Sequence, residues 1–479
     1  MNRMSDISRR SLLCSAFALG VWRSSQSAAT SISPKDFGAK GDGVTNDTDA
    51  FFACASYINK CGGGKITIPP GVYIVGKQVL TGSLGQGAAY EPAKILRFEK
   101  CSRPVVIDGM GATLKFANGL KIGAFSPISG ESITVAMPFS DYDYRADPGI
   151  MIDCKECVSI SIRNINLDGN LIEHHVGGKW AVDDGWQCYA HGIHTVSNLH
   201  VDLENVQARN FAVDAMMQVD PGLLFSNLAR PVILINCRFE FNARQGLSWV
   251  GGNWLTAIDC KFNHTGRSFN RGLQATLFSP PGAGVDLEAE ESIVCNGRFI
   301  RCEFVNNVGA GVLASTGPVE EVEFNDCNFV GTTAWSAWPD KPNMRFNRCR
   351  FSGALVRAHG NAQPDKASKF FKCKFDDDPS RSPSGELYGG INADRPLADL
   401  SDSQNVMFEY CQFRAQHGGT LPWSSRAIYK DCNMQQLSSA VAYPRGRYVG
   451  QNTIVGPVEL QNSIIEGTLI INGVKYTGG

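Results

Sequence analysis

Residues 281–291 read PGAGVDLEAEE. As a β-strand this stretch sends Asp286, Glu288 and Glu290 to one face and Val285, Leu287 and Ala289 to the other. Like charges two residues apart repel, so Asp286 and Glu288 cannot both ionise freely, and one of them should keep its proton to a higher pH. A proton-holding carboxyl beside an ionised one is what acid–base chemistry uses. A solvated acidic face is the plain alternative, and the neighbouring strands decide between the two.

Five segments begin with a small residue followed by an aliphatic one: GIHTV (192–196), AVDAM (212–216), GLSWV (246–250), GVDLE (284–288) and GVLAS (311–315). Stacked in that register, Ile193, Val213, Leu247, Val285 and Val312 make an inward ladder. His194, Asp214, Ser248, Asp286 and Leu313 then make an outer column. The acids are local, because the next segment offers Leu313 and Ser315. Asp214 and Asp286 fall two coils apart, about 10 Å at the backbone, and their side chains can lean closer. Arg244, just ahead of its strand, is placed to hold a carboxylate with two hydrogen bonds, or to pair with Glu240 or Asp214. His264 and Arg267, in NHTGRSFNR, lie on the following loop within reach of the same cleft, where His264 could equally brace a turn.

Stacking in register needs a repeat, and the cysteines supply one. NCRF (236–239), DCKF (259–262), RCEF (301–304), DCNF (326–329), RCRF (348–351), KCKF (372–375), YCQF (410–413) and DCNM (431–434) place Cys at intervals of 23, 42, 25, 22, 24, 38 and 21 residues. The two long intervals are close to doubled. A period near 22 with one or two short strands per unit is the signature of a β-solenoid, with coils stacked about 4.8 Å apart. Cys is a small, nearly apolar filler. The column therefore reads as a stack of reduced thiols rather than a disulfide framework.

The chain has 479 residues, 43% hydrophobic and 19% charged, with 50 Gly and a net charge of −1. That balance gives no electrostatic case for nucleic acid or an anionic membrane surface. Ser8-Arg9-Arg10-Ser11-Leu12-Leu13, a short apolar run to Trp22 and Ser27-Ala28-Ala29 read as a twin-arginine signal over residues 1–29. Its removal takes away four arginines and one aspartate, shifting the net charge from −1 to −4. Export to the periplasm or beyond after folding in the cytosol also suits a column of free thiols. No other run is long and apolar enough to cross a membrane. Residues 30–479 read as one solenoid domain, with no linker to a second.

The segment DFGAKGDGVTNDTDAFFACASYINKCGGGKITIPPGVYIV (36–75) resembles the N-terminal signature of the pectate-lyase-like superfamily. The resemblance implies an all-β fold: a single-stranded right-handed parallel β-helix with an N-terminal capping helix. In the cap, about 34–75, the helix would bury Ala50, Cys54, Tyr57, Ile58 and Cys61 and stop at the glycines 62–64, with two short strands around Pro69-Pro70-Gly71. The superfamily holds hydrolases, lyases, epimerases and phage depolymerases acting on polysaccharides, and RQGLSWVGG, PGAGVDLEAE and GTTAWSAWP resemble bacterial members associated with exopolysaccharide. A polygalacturonase-type hydrolase would show Asp-Asp, Gly-His-Gly and Arg-x-Lys. This chain has VDDGW and AHGIH ahead of the central coils and no Arg-x-Lys, which argues against galacturonan.

The expected function is an exported enzyme cleaving an acidic polysaccharide, with Asp214, Asp286 and Glu288 as catalytic carboxylates. The favoured chemistry is inverting hydrolysis, which needs an acid and a base roughly 6.5–9.5 Å apart with a water between them. His194, Arg244, His264 and Arg267 are expected to bind substrate. So are Trp180 and Trp186, with Asp183 and Asp184 beside them, on the second of two loops (117–148 and 171–191) that flank the groove. A lyase or C5-epimerase acting on a uronate is the alternative, with Arg244, His194 and His264 recast as neutraliser and base. A non-catalytic polysaccharide-binding solenoid is the third reading. No cofactor is required. A Ca2+ site from Asp and Glu oxygens stays open, Glu173-His174-His175 has no third metal ligand at a suitable spacing, and the chain could be a monomer or a trimer.

Overall fold

The computed structural model describes residues 31–478, apart from residues 86, 135–141, 179–189, 222–228, 291, 388–395, 401–402 and 425. The twin-arginine segment and Trp180, Asp183, Asp184 and Trp186 therefore lie outside the described residues. Each central coil is three short strands joined by bends. Gln245–Trp249, Leu255–Ile258 and Lys261–Asn263 make one, and Val285–Glu288, Val294–Ile300 and Glu303–Asn307 the next. The first strands of successive coils build an eight-stranded parallel sheet from Leu96–Glu99 to Trp338–Pro339, and the second and third strands build the large sheet. The protein is a right-handed parallel β-helix. Among the described residues, no helix is long and apolar enough to cross a membrane.

Register is held by identical side chains stacked on one another. Phe262, Phe304, Phe329, Phe351, Phe375 and Phe413 form one inward ladder, with consecutive rings 4.6–5.4 Å apart and near parallel. Phe299, Phe324, Phe346, Phe370 and Phe408 form a second, with rings 4.7–4.9 Å apart, which Tyr429 and Tyr448 continue. These spacings match the separation of neighbouring strands, so each coil adds one ring to each ladder. The two ladders meet edge to face across the core, as in Phe304–Phe324 and Phe329–Phe346, the arrangement that aromatic quadrupoles favour.

The repeated cysteines sit at the bend between the second and third strands, each one residue ahead of the strand that carries the next residue of the repeat. The residue before each Cys (Asn236, Asp259, Arg301, Asp326, Arg348, Lys372, Tyr410 and Asp431) has φ between 51° and 55°. That left-handed turn folds the chain around the corner and aims the thiol inward. Outside the bend, Arg301 and Arg348 each make two hydrogen bonds to the acid one coil earlier, Asp259 and Asp326. Inside, thiols donate to carbonyls of the preceding coil, as Cys349 does to Phe324 O at 3.3 Å and Cys373 to Phe346 O at 3.3 Å. The fourteen described cysteines are free, and all but Cys61 are buried. Burial pushes the Cys349 and Cys373 thiols well above the usual range.

The capping helix is Thr48–Cys61, ended by Gly62 in the left-handed conformation. It buries Ala50, Phe51, Cys54, Ala55 and Ile58, whereas Tyr57 and Cys61 are exposed. Positions i, i+4 and i+8 from Ala50 make the buried stripe together with Phe51 and Ala55, one residue round the helix, so the stripe is rotated toward Phe51 from the expected set. Asn59 shows how the helix closes the end of the sheet. Its Nδ2 donates to Arg97 O at 2.7 Å and its Oδ1 accepts from Glu99 N at 3.1 Å. Both backbone groups belong to the first strand of the eight-stranded sheet, whose edge would otherwise be unpaired. Beside the first coils, Gln78–Leu80, Tyr90–Pro92, Lys121–Ala124, Arg145–Ala146 and His175–Gly177 form a separate five-stranded sheet, the last three strands coming from the loops expected to flank the groove.

Candidate active site

Two glycines set the register of the candidate site. A Cβ on Gly246 would meet Gly284 O at 2.5 Å, and one on Gly284 would meet Gly311 O at 2.7 Å. The chain turns into the eight-stranded sheet at this corner, where only small residues pass. The column of small residues is Gly192, Ala215, Gly246, Gly284 and Gly311; Ala212 is not in it. The strand Asp214–Val219 is therefore displaced by three residues from the register read in the sequence. Ile193 pairs with Met216 and His194 with Met217, while Asp214 pairs with Gln245. Met216, not Val213, completes the inward ladder. The outer column runs Asp153, His194, Met217, Ser248, Asp286, Leu313.

Asp214 leaves the expected column but remains in the cluster. It occupies the corner column, one position ahead of the small residues, between His191 on the preceding coil and Gln245 on the next. Its Oδ2 lies 3.3 Å from His191 Nδ1 and 3.5 Å from Arg244 Nη1. Asp214 is fully buried, His191 is 3% exposed and Arg244 7%. Gln245 Nε2 donates to Asp286 Oδ2 at 2.7 Å, which ties Asp286 to the same corner. His194 stacks on His191 with ring centroids 5.8 Å apart, and its Nδ1 lies 3.0 Å from Asp153 Oδ1. Asp153 is also paired with Arg97 at 3.6 Å.

Electrostatics distinguishes Asp286 from the other acids. Burial, and then the neighbouring charge of Glu288, push its carboxyl up to about 7, although Arg244 and the Gln245 hydrogen bond act the other way. Asp286 therefore holds a proton near neutrality, as the alternation of acids led one to expect for one of this pair. Burial pushes His191 down despite its contact with Asp214, so its imidazole is neutral. Asp214 Oδ1, Arg244 Nε and Gln245 Oε1 are buried without a hydrogen-bond partner among the described residues. Each such group costs stability unless something satisfies it.

His264 and Arg267 are elsewhere. His264 lies at the preceding corner, stacked on Phe241 at 4.5 Å and bonded to Asn306 at 2.9 Å. Its own φ of 60° makes it a turn residue. Arg267 reaches toward later coils, to Thr332 and Thr333. Three cluster members were missed in the sequence: His191, Gln245 and Asp153. The first two carry a readable signal, since each directly precedes a small residue of the corner column, as Asp214 precedes Ala215. Among the described residues, no group of three or more His, Cys, Asp or Glu is arranged to hold a metal ion.

No family model matches the chain. Over 86 residues it is 50% identical to alginate lyase 7 of Azotobacter vinelandii, a match covering 18% of this chain and 9% of that protein. The N-terminal fragment of gene product 12 of bacteriophage Phi29 aligns over 93% of this chain and 73% of its own, with a TM-score of 0.45 and 13% identity. The A-module of the Azotobacter vinelandii mannuronan C-5 epimerase AlgE6 aligns over 92% of this chain and 98% of its own, with a TM-score of 0.38 and 14% identity. The fold rests on the coils themselves: parallel strands stacked turn upon turn from the capping helix to the final hairpin, three to a turn in the central coils, make this chain a right-handed parallel β-helix.

Proposed function

We propose that the chain is an enzyme that cleaves a uronate-containing polysaccharide at the corner formed by His191, Asp214, Arg244 and Asp286, with β-elimination as the chemistry. The observation that carries the reading is the placement of buried Arg244 between two kinds of group: the His191–Asp214 pair on one side and the proton-holding carboxyl of Asp286 on the other. In elimination a uronate carboxylate must be neutralised, the C5 proton removed and the leaving oxygen at C4 protonated. Arg244, with Gln245 beside it, suits the carboxylate. Neutral His191, oriented through Nδ1 by Asp214, suits the base. Asp286 suits the acid. The C5–H electrons form the C4–C5 double bond, the C4–O bond breaks, and the Asp286 proton goes to the departing oxygen. The sequence match to an alginate lyase supports a uronate as the sugar.

Inverting hydrolysis keeps one specific observation in its favour: Asp214 and Asp286 lie on strands two coils apart on the same sheet. Against it, Asp214 Oδ2 is engaged by His191 and Arg244 rather than presented to a water. Mass analysis of products from alginate and from the producer's own exopolysaccharide decides. Fragments with an unsaturated, ultraviolet-absorbing end support elimination. Saturated fragments carrying an oxygen from labelled water refute it and leave hydrolysis. Unchanged chain length with solvent deuterium at C5 would make the protein an epimerase.

A further inference from the structure

We propose that the cavity between the five-stranded sheet and the hairpin Ser268–Asn270/Ala275–Leu277 is a second saccharide-binding site, separate from the catalytic corner. The cavity measures about 500 Å3 and is lined by Tyr90, Lys121, Glu131, His174, His175 and Asn270 among others, a size within the roughly 300–1,000 Å3 of small-molecule sites. The inference deepens the reading above: a polymer acted on at Arg244 and Asp286 is gripped a second time by the flanking sheet.

His174 is the residue that points to a ligand. It is 2% exposed, it lines the cavity, and neither ring nitrogen has a hydrogen-bond partner among the described residues. Burial, with His175 adjacent, pushes it down to about 3, so it is neutral at any working pH. A neutral imidazole offers one donor and one acceptor. Sugar hydroxyls, each both donor and acceptor, meet both needs, whereas a simple anion or cation meets only one.

The surroundings are built to hold this histidine still. The Asn270 side chain is fully buried, and its Nδ2 donates to Leu171 O at 2.7 Å and His174 O at 3.0 Å. Its Oδ1 accepts from Leu273 N at 2.9 Å, which fixes the hairpin tip. Lys121 stands opposite His175 on the neighbouring strand. Its backbone N and O are both bonded to the Gln78 side chain, and its Nζ lies 4.7 Å from the Tyr90 ring centroid. Lys121 and His175 can donate to a sugar carboxylate or hydroxyls, Glu131 can accept from a hydroxyl, and Tyr90 offers an aromatic surface.

The site also adjoins the catalytic corner. Ile122 and Val176 alternate with Lys121 and His175 on the same two strands and pack into a small apolar cluster. That cluster contains Ala190, Val213 and Ala243, the residues directly preceding His191, Asp214 and Arg244.

Calorimetric titration of the Asp286→Asn chain with an alginate octasaccharide tests the proposal. Lys121→Ala combined with His175→Ala, and separately His174→Phe, should each weaken binding about tenfold. In the wild-type chain they should leave kcat on short substrates unchanged. Thermal unfolding checks that each variant is folded. On the unsubstituted residues, the 15N signals of the His174 ring should shift when the octasaccharide is added. Unchanged affinity in the folded variants together with an unmoved His174 signal, or no octasaccharide binding at all, overturns the second site. Lys121-dependent binding without turnover of any uronate polymer upholds the second site and refutes the catalytic reading instead.

Discussion

Replacing Asp286 by Asn should make the protein more stable at neutral and alkaline pH while disabling its chemistry. In the unfolded chain this carboxyl ionises at about its ordinary value of 3.8, and in the folded chain at about 7. Below pH 4 both states carry the proton, and the group contributes no pH dependence. Between pH 4 and 7 the unfolded state releases its proton while the folded state keeps it, so stability falls as pH rises. Above 7 the loss is complete. A shift of roughly three units corresponds to at most about 4 kcal/mol. Asn is nearly isosteric, carries no charge and can still accept the hydrogen bond from Gln245 Nε2. For 479 residues the unfolding entropy is about 1 kcal/mol/K, so 4 kcal/mol corresponds to about 4 °C. Thermal unfolding of wild type and Asp286→Asn at half-unit steps from pH 4 to 8.5 measures this. The variant's advantage should grow from its pH 4 baseline to about 4 °C by pH 8. A gap that stays constant with pH, or a variant that loses ground as pH rises, would refute the claim that this carboxyl is held protonated by its surroundings.

Other outcomes follow from the same geometry. Turnover should fall above about pH 7 as Asp286 loses its proton, and Asp286→Asn should cost about 10²–10⁴ in kcat. Arg244→Ala should lower kcat/KM by at least about a hundredfold, since it removes the carboxylate ligand and strands buried Asp214; His264→Ala should change kcat/KM less than about twofold. Phe351→Ala, in the middle of a ring ladder, should cost about 3–5 kcal/mol in denaturant unfolding. Thiol labelling followed by peptide mapping should find Cys61 modified in the native protein and Cys327, Cys349 and Cys373 modified only after denaturation.

The fold was legible because the solenoid repeats its core. Polar-Cys-polar-Phe recurs at nearly constant spacing, and a side chain that must stack on its equivalent is the same residue in each coil. The bend was less legible. A left-handed residue is usually Gly, Asn or Asp, and here Arg301, Arg348, Lys372 and Tyr410 also take that role. The site was legible in part. Asp286 and His194 stand in the outer column where the spacing placed them, and Arg244 directly precedes its strand as read, whereas Glu288 faces Thr316 across a register shift rather than Ser315. Asp214 was assigned to the wrong column because AVDAM carries two small residues, Ala212 and Ala215, and only the second fits the corner. With Ala215 in register, Asp214 moves beside His191 and Gln245, and the corner cluster follows. His264 and Arg267 were adjacent in sequence to the central coils, but their loop bends back at a different corner. The buried His174 had no sequence signal of its own, because its setting comes from a hairpin that returns from Asn270.

The most direct test of the catalytic corner is a crystal structure of the inactive Asp286→Asn chain with a uronate oligosaccharide bound. The account predicts a sugar carboxylate on the Arg244 guanidinium, C5 facing His191 and the glycosidic oxygen beside residue 286. An oligosaccharide bound on another face, with Arg244 still paired to Asp214 and the corner filled only by water, would contradict it.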